Sequence, residues 1–168
     1  MLLGDGVNKG NYYQEINKFL TNQNKNIDMY NYSKKNLSIK ELTTDLIYQN
    51  NPTLKEYLIK SNLIILSIGE KEIKDNESLL NIETDMNNLI QEIKKYNYNI
   101  CILSKYKNNI NDKKVSEINK IYKSISKENN LIYINIENIP ILNNNYPSKK
   151  GNKDIGNLIV KAIDLKYK

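Results

Sequence analysis

The first residues whose chemistry stands out form a Gly-Asp-Gly turn near the start of the chain. Leu2 and Leu3 are apolar, and Gly4, Asp5 and Gly6 follow them directly. In an α/β fold, a first strand that runs into such a turn normally presents a nucleophile at the carboxyl edge of the sheet, where the ligand sites of these folds lie. Gly6 has no side chain, so the turn has the form of a nucleophile site without the reacting atom.

A catalytic base would also have to come from an unusual group, because no histidine occurs among the 168 residues. A carboxylate, lysine or tyrosine can act as a base near neutral pH only if its pKa is strongly shifted. The groups of this kind near the predicted strand ends are Asp5, Glu70, Lys71, Glu72 and Tyr146. Because ion-pair networks often resemble functional clusters, we favour a structural interpretation in which Asp5 orders the turn, Lys71 pairs with an acid and Tyr146 fills space.

The same region offers little for a metal ion or a cofactor, and we expect neither. Glu70 and Glu72 need not point in the same direction, and no imidazole or thiol ligand is near them. Serines close to strand ends do not occupy the nucleophile turn; they are Ser33, Ser67 and Ser104. Cys101 lies inside an apolar run and is predicted to be a buried strand residue.

The composition is that of one folded domain spanning residues 1–168. Apolar residues make up 39% of the chain and charged residues 26%, and no apolar run is long enough to cross a bilayer. The net charge of +6 permits a polyanionic partner, but the basic residues are all lysine and alternate with acids. We therefore expect no specific nucleic-acid binding, which depends heavily on arginine. The abundant Asn, Ile, Lys and Tyr indicate an AT-rich genome.

Strand and helix patterns alternate along the chain, which predicts a flavodoxin-like three-layer αβα domain with a five-stranded parallel sheet. After Leu2-Leu3, strand-like runs occur at residues 27–32, 63–68, 99–104 and 131–136. Apolar residues recur with helical spacing at 13–20, 39–47, 86–93, 115–125 and 155–163. Ser38 with Glu41 three residues later has the spacing of a capping box and marks a helix start.

The first and third strand ends resemble the SGNH (GDSL-type) esterase and lipase family. In that family the first strand ends in Gly-Asp-Ser with a glycine four residues further on, and Gly4-Asp5-Gly6 with Gly10 keeps this frame without the serine. The third block of the family is an apolar strand followed by Gly-x-Asn-Asp. Residues 63–72 keep that frame with Gly69 in register, but Lys71 stands in the position of the oxyanion asparagine.

The second and last blocks of the family are matched in the same way. Asn31, Asn36 and Ser38 fall in the register of the second block, with Asn36 in place of the glycine whose amide helps to form the oxyanion hole. The family then places Asp-x-x-His-Pro before a final helix that contains a glycine. Residues 143–147 and Gly151 reproduce that frame, with Asn143 replacing the acid and Tyr146 replacing the base.

The resemblance implies an SGNH fold, and the departures from it imply a catalytically silent member. The family positions that have lost their reacting groups are Gly6, Asn36, Lys71, Asn143 and Tyr146. We expect a binding cleft formed by Asp5, Gly6, Asn36, Gly69, Lys71, Glu72 and Tyr146. Because the relatives act on acyl or acetyl esters of lipids and glycans, a cell-envelope glycan or polymer is the implied ligand. Two alternatives remain open: a divergent esterase or acyltransferase using Lys71, Glu72 and Tyr146, and a scaffold for a protein partner.

Only three residues precede Gly4, whereas a central strand usually has about five residues. The short strand leaves two alternatives open. If a signal peptide or an anchor was removed upstream, the protein would be extracytoplasmic or on the cell surface; otherwise it would be cytoplasmic.

Overall fold

Five parallel strands form the sheet in the computed structural model, which describes residues 1–5, 14, 17–18, 21–22, 28–48, 50–107, 112–142 and 147–166. The strands are β1 (Leu2–Gly4), β2 (Asn31–Ser33), β3 (Ile64–Ser67), β4 (Ile100–Leu103) and β5 (Ile132–Ile134). Their order in the sheet is β2-β1-β3-β4-β5, and every pairing is parallel. The predicted five-stranded parallel sheet, with the first strand beside the 63–68 strand, is confirmed.

The helices are α1 (Ile39–Ile47), α2 (Pro52–Lys60), α3 (Glu70–Lys74), α4 (Leu79–Lys94), α5 (Asp112–Glu128) and α6 (Lys149–Lys166). Both faces of the sheet are covered, because strand side chains alternate between them. Leu3, Leu66 and Ile102 contribute to one buried cluster, which also contains residues of α1, α2, α4 and α5. Leu2 and Cys101 contribute to a second cluster with residues of α6. The molecule thus has the three layers that were predicted, and Cys101 is buried on β4.

The start of α1 fixes one loop at the carboxyl edge of the sheet. The Ser38 hydroxyl accepts a hydrogen bond from the Glu41 amide at 3.0 Å, and the Glu41 carboxylate accepts from the Ser38 amide at 2.7 Å. The predicted capping box is therefore confirmed. The bonds from Ser38 also hold the pKa of the Glu41 carboxyl below its ordinary value.

One predicted strand needs correction, two helices were missed, and the residues that carry one predicted helix lie outside the described residues. The strand predicted at 27–32 begins only at Asn31, because it pairs on one side with β1, which is three residues long. The helices α2 and α3 were not predicted. The apolar pattern at 13–20 falls on Tyr13, Ile16, Phe19 and Leu20, which lie outside the described residues.

Candidate functional site

The carboxyl ends of β1, β2 and β3 carry the predicted cleft residues. The structure describes Asp5, Asn36, Gly69, Lys71 and Glu72. Three further predicted positions lie outside the described residues: Gly6, Asn143 and Tyr146. The expectation that Gly6 and Tyr146 share one cleft with Gly69 therefore stays a prediction.

Asp5 is buried at the end of β1 and joins the first and third strand ends. One carboxylate oxygen, Oδ2, accepts hydrogen bonds from the amides of Gly69, at 2.9 Å, and of Glu70. The Asp5 amide in turn donates to the Ser67 carbonyl oxygen at 2.9 Å. Asp5 thus orders the turn that follows β3, whereas the turn that it was predicted to order continues at Gly6, outside the described residues.

Lys105 is a site residue that the sequence analysis missed. It directly follows the strand region of β4, and its ammonium Nζ lies 3.2 Å from Asp5 Oδ1, with 8% of the lysine side chain and none of the aspartate side chain exposed. The Asn119 side chain holds the Lys105 backbone by accepting from its amide at 2.7 Å and donating to its carbonyl at 2.8 Å. The sequence did offer a signal for this contact. Lys105 directly follows a predicted buried strand, so it must lie at the same edge of a parallel sheet as Asp5.

Glu72 connects the third loop to the second. Its Oε1 accepts a hydrogen bond from the Ile39 amide at the start of α1, at 2.7 Å. Its Oε2 is buried and has no hydrogen-bond partner in the described part of the chain. Burial raises the pKa of the Glu72 carboxyl, and the nearby Asp5 charge adds to the increase, while Lys105 opposes it.

Gly69 adopts the left-handed conformation, with φ of 113°, between β3 and α3. A β-carbon at this position would overlap the hydroxyl of Tyr122 from α5. That hydroxyl donates to the Ile68 carbonyl oxygen at 3.0 Å, and burial raises the pKa of Tyr122 well above its ordinary value. The turn after β3 therefore requires glycine for both its backbone conformation and its packing.

Lys71 and Asn36 occupy the two positions where the resemblance places oxyanion donors. The Lys71 ammonium pairs with Asp75 on its own helix at 2.7 Å, and this hydrogen bond raises the pKa of Lys71. The structure thus agrees with the prediction that Lys71 pairs with an acid. Asn36 is exposed and has a φ of 59°, a conformation that glycine adopts freely and asparagine tolerates better than most residues.

The serines near the strand ends are not arranged as nucleophiles. Ser104 is buried and accepts from the Ile136 amide at 2.7 Å, while Ser33 donates to Asn31 Oδ1 at 2.8 Å. The described residues contain no group of three metal-ligating side chains, and none of their helices is long and apolar enough to cross a membrane.

Comparison with known proteins supports the same fold. No protein-family model and no curated protein sequence matches the chain. Among solved structures, a lipase/acylhydrolase from Enterococcus faecalis matches with a TM-score of 0.80 and 14% identity, over 99% of this chain and 95% of that one. A family 3 carbohydrate esterase from Clostridium thermocellum matches with a TM-score of 0.76 and 18% identity, over 98% of this chain and 94% of that one. An acetyl xylan esterase from Geobacillus stearothermophilus matches with a TM-score of 0.78 and 12% identity, over 96% of this chain and 92% of that one.

These matches cover nearly the whole of each chain. A lipolytic protein of the G-D-S-L family from Desulfitobacterium hafniense also matches, with a TM-score of 0.74. The strand order and the register of β1 against β3 are the features that bring the first and third blocks together at one sheet edge. This chain has the fold of the SGNH (GDSL-type) esterases and acylhydrolases.

Proposed function

We propose that this chain is a non-hydrolytic SGNH-fold module that binds a glycan or a related cell-envelope polymer. The observation that carries the proposal is the absence of any histidine from the 168 residues, together with glycine at position 6. Acyl transfer through a serine requires a hydroxyl and a base that takes its proton. The chain supplies neither at the positions where the resemblance places them.

The geometry of the third block supports the proposal. An oxyanion hole needs donors that are free to bind the developing charge. Lys71, at the position of the oxyanion asparagine, forms an ion pair with Asp75 instead. The Asp5 carboxylate accepts hydrogen bonds from the amides of the loop after β3 and contacts the Lys105 ammonium, and it has no donor to offer an oxyanion.

The ligand class comes from the proteins that share the fold. Two of them are named as a carbohydrate esterase and an acetyl xylan esterase. A module that kept the carbohydrate-binding surface of such an enzyme and lost its reacting groups would bind a glycan without cleaving an ester. The glycan or polymer would lie at the carboxyl edge, against Asn36, Lys71 and the residues after β1.

Glu72 is the observation that favours a second candidate function, a divergent esterase or acyltransferase. Its Oε2 has no hydrogen-bond partner in the described part of the chain, and burial raises its pKa, which is the direction expected of a carboxylate that acts as a base. Against this role, Glu72 Oε1 is already bound to the Ile39 amide, and Oε2 is buried. We therefore place the binding module first.

Hydrolysis assays distinguish the two functions. We expect no turnover of p-nitrophenyl acetate, p-nitrophenyl butyrate or acetylated xylan above the rate of a heat-denatured sample. A fluorophosphonate probe should not label the protein. Turnover that is lost in Glu72→Gln would establish the esterase instead, and labelling of one residue that an ester substrate blocks would contradict the silent site.

A further inference from the structure

The outer face of α5 carries four lysines, which we call the lysine ridge: Lys113, Lys120, Lys123 and Lys127. All four are exposed, and the first, second and fourth are spaced seven residues apart. Residues seven apart lie nearly above one another on an α-helix, so these lysines form a line about 21 Å long at 1.5 Å per residue. The buried side of α5 is the opposite one and includes Val115 and Tyr122.

The charges of the ridge are not neutralised within the described part of the chain. Among the described residues, lysines elsewhere form ion pairs with carboxylates, including Lys71 with Asp75 and Lys107 with Glu137. No ridge lysine forms such a pair with a described residue, although Glu117 lies close to the ridge in sequence. Two more acids of α5 lie close to the ridge: Asp112 directly precedes Lys113, and Glu128 accepts a hydrogen bond from the Ser124 hydroxyl at 2.8 Å.

The ridge starts beside the candidate site. The helix α5 follows the carboxyl end of β4, and Lys113 at its start lines an open groove between the beginnings of α4 and α5. The rest of this groove is lined by Asn76, Ser78, Leu79 and Lys114 and by three carboxylates, those of Glu77, Asp112 and Glu117. These carboxylates disfavour an acidic polymer in the groove itself, so such a polymer would contact the ridge from Lys113 outward.

We propose that the lysine ridge binds a linear acidic glycan, a polymer with regularly spaced carboxylates or phosphates. The inference rests on the proposed function and specifies the charge of its ligand. A line of exposed ammonium groups is complementary to a linear polyanion. A nucleic acid fits less well, because the only aromatic residue of α5, Tyr122, is fully buried and no surface of this helix can stack on bases.

The test uses the intact protein, with decagalacturonate as the acidic glycan and a neutral xylo-oligosaccharide for comparison. The ridge variant is Lys113→Gln/Lys120→Gln/Lys127→Gln. The control variant, Lys150→Gln/Lys153→Gln/Lys161→Gln, removes the same charge from exposed positions of α6. Circular dichroism checks that both variants fold, and calorimetry gives the affinities at 20 mM and 150 mM NaCl.

We expect the ridge variant to lose tenfold or more in affinity for decagalacturonate at 20 mM NaCl, and the control variant less than twofold. Each lysine that contacts the polymer should contribute roughly 0.7 to the slope of log affinity against log salt, so the ridge variant should lose about 2 from this slope. Equal losses in both variants, or no binding by the parent protein at 20 mM NaCl, would overturn the inference.

Three further outcomes are informative, and the last two separate this inference from the proposed function. Tighter, ridge-dependent binding of single-stranded DNA of the same charge would replace the glycan with a nucleic acid. Binding of the neutral oligosaccharide that is insensitive to the ridge, without binding of decagalacturonate, would overturn the ridge and leave the proposed function standing. Ester hydrolysis by the parent protein would overturn the proposed function, whatever the ridge binds.

Discussion

At the scale of single residues, the buried contact between Lys105 and Asp5 joins positions that are 100 residues apart in the chain. Removing one partner of a buried ion pair leaves the other charge without compensation. We expect Lys105→Met to lower the free energy of unfolding by about 3 kcal/mol or more at neutral pH. Urea denaturation of the parent protein and the variant measures the loss.

Lys107 provides a matched control two residues further on. It pairs with Glu137 at 2.9 Å, but 36% of its side chain is exposed. Water screens such a pair, so Lys107→Met should cost about 1 kcal/mol or less. Equal costs at Lys105 and Lys107 would mean that burial does not decide the strength of the Asp5 contact.

Glu72 should make stability depend on pH in a predictable direction. Burial raises its pKa above the ordinary value of 4.5, so the folded protein still holds this proton at a pH where the unfolded chain has released it. The free energy of unfolding therefore falls as pH rises from 4.5 through the folded-state pKa of Glu72. Glu72→Gln cannot titrate, so its stability relative to the parent protein should increase over this window.

Urea denaturation at pH 4 and pH 7.5 tests the prediction, with Glu83→Gln as the control. Glu83 is an exposed carboxylate on α4, so replacing it should give the same small difference at both values of pH. If the stability of Glu72→Gln relative to the parent protein instead falls as pH rises, the ionised Glu72 carboxylate must gain a stabilising partner. The description of Oε2 as a buried oxygen without a partner would then be wrong.

At the scale of elements, the cap of α1 holds the second loop of the candidate site. The Ser38 hydroxyl satisfies the Glu41 amide at 3.0 Å, and helix caps of this kind contribute about 1 kcal/mol. We expect Ser38→Ala to destabilise the protein by about 1 kcal/mol and Ser38→Asn to recover most of the loss, since asparagine also caps helices. Thermal unfolding measures the stability of both variants. Equal losses of stability in Ser38→Ala and Ser38→Asn would show that the helix cap is not what Ser38 contributes.

The elements that could be predicted are those whose apolar residues repeat over several turns or fill a central strand. The helix α5 and the strands β3 and β4 belong to this group. The helix α2 was missed because only Leu54 and Leu58 are buried along its nine residues, too few for a periodic signal. The helix α3 has five residues and no room for a repeat.

At the scale of the whole molecule, the sequence predicted which strand ends meet but not all the partners that they bring together. The pairing of Lys71 with an acid followed from local charges. The hydrogen bonds that Asp5 accepts from the turn after β3 depend instead on the pairing of β1 with β3. Lys105 was missed because its partner is distant in sequence, and only the sheet order places β4 close enough to β1. The buried contact from Glu72 to Ile39 likewise depends on how α3 packs against α1, which no local pattern reveals.

The last prediction concerns how far the whole scaffold has departed from a catalyst. Combining Gly6→Ser, Asn36→Gly, Lys71→Asn, Asn143→Asp and Tyr146→His restores the reacting groups that the resemblance implies. We expect the combined variant to fold, because strand-end loops tolerate substitution better than the core does. We expect weak esterase activity at best, because catalytic groups must be held to within about 0.5 Å by supporting contacts, which these five substitutions do not build.

Turnover of p-nitrophenyl acetate and fluorophosphonate labelling measure the outcome, with Gly6→Ser alone as the comparison. The single variant should show neither, because no histidine is present to activate its hydroxyl. Robust turnover by Gly6→Ser would require a base and an oxyanion hole that already work, and the non-hydrolytic proposal would fall. If the combined variant does not fold, the present residues at these positions are structural, and a scaffold that binds a protein partner becomes the better interpretation of the cleft.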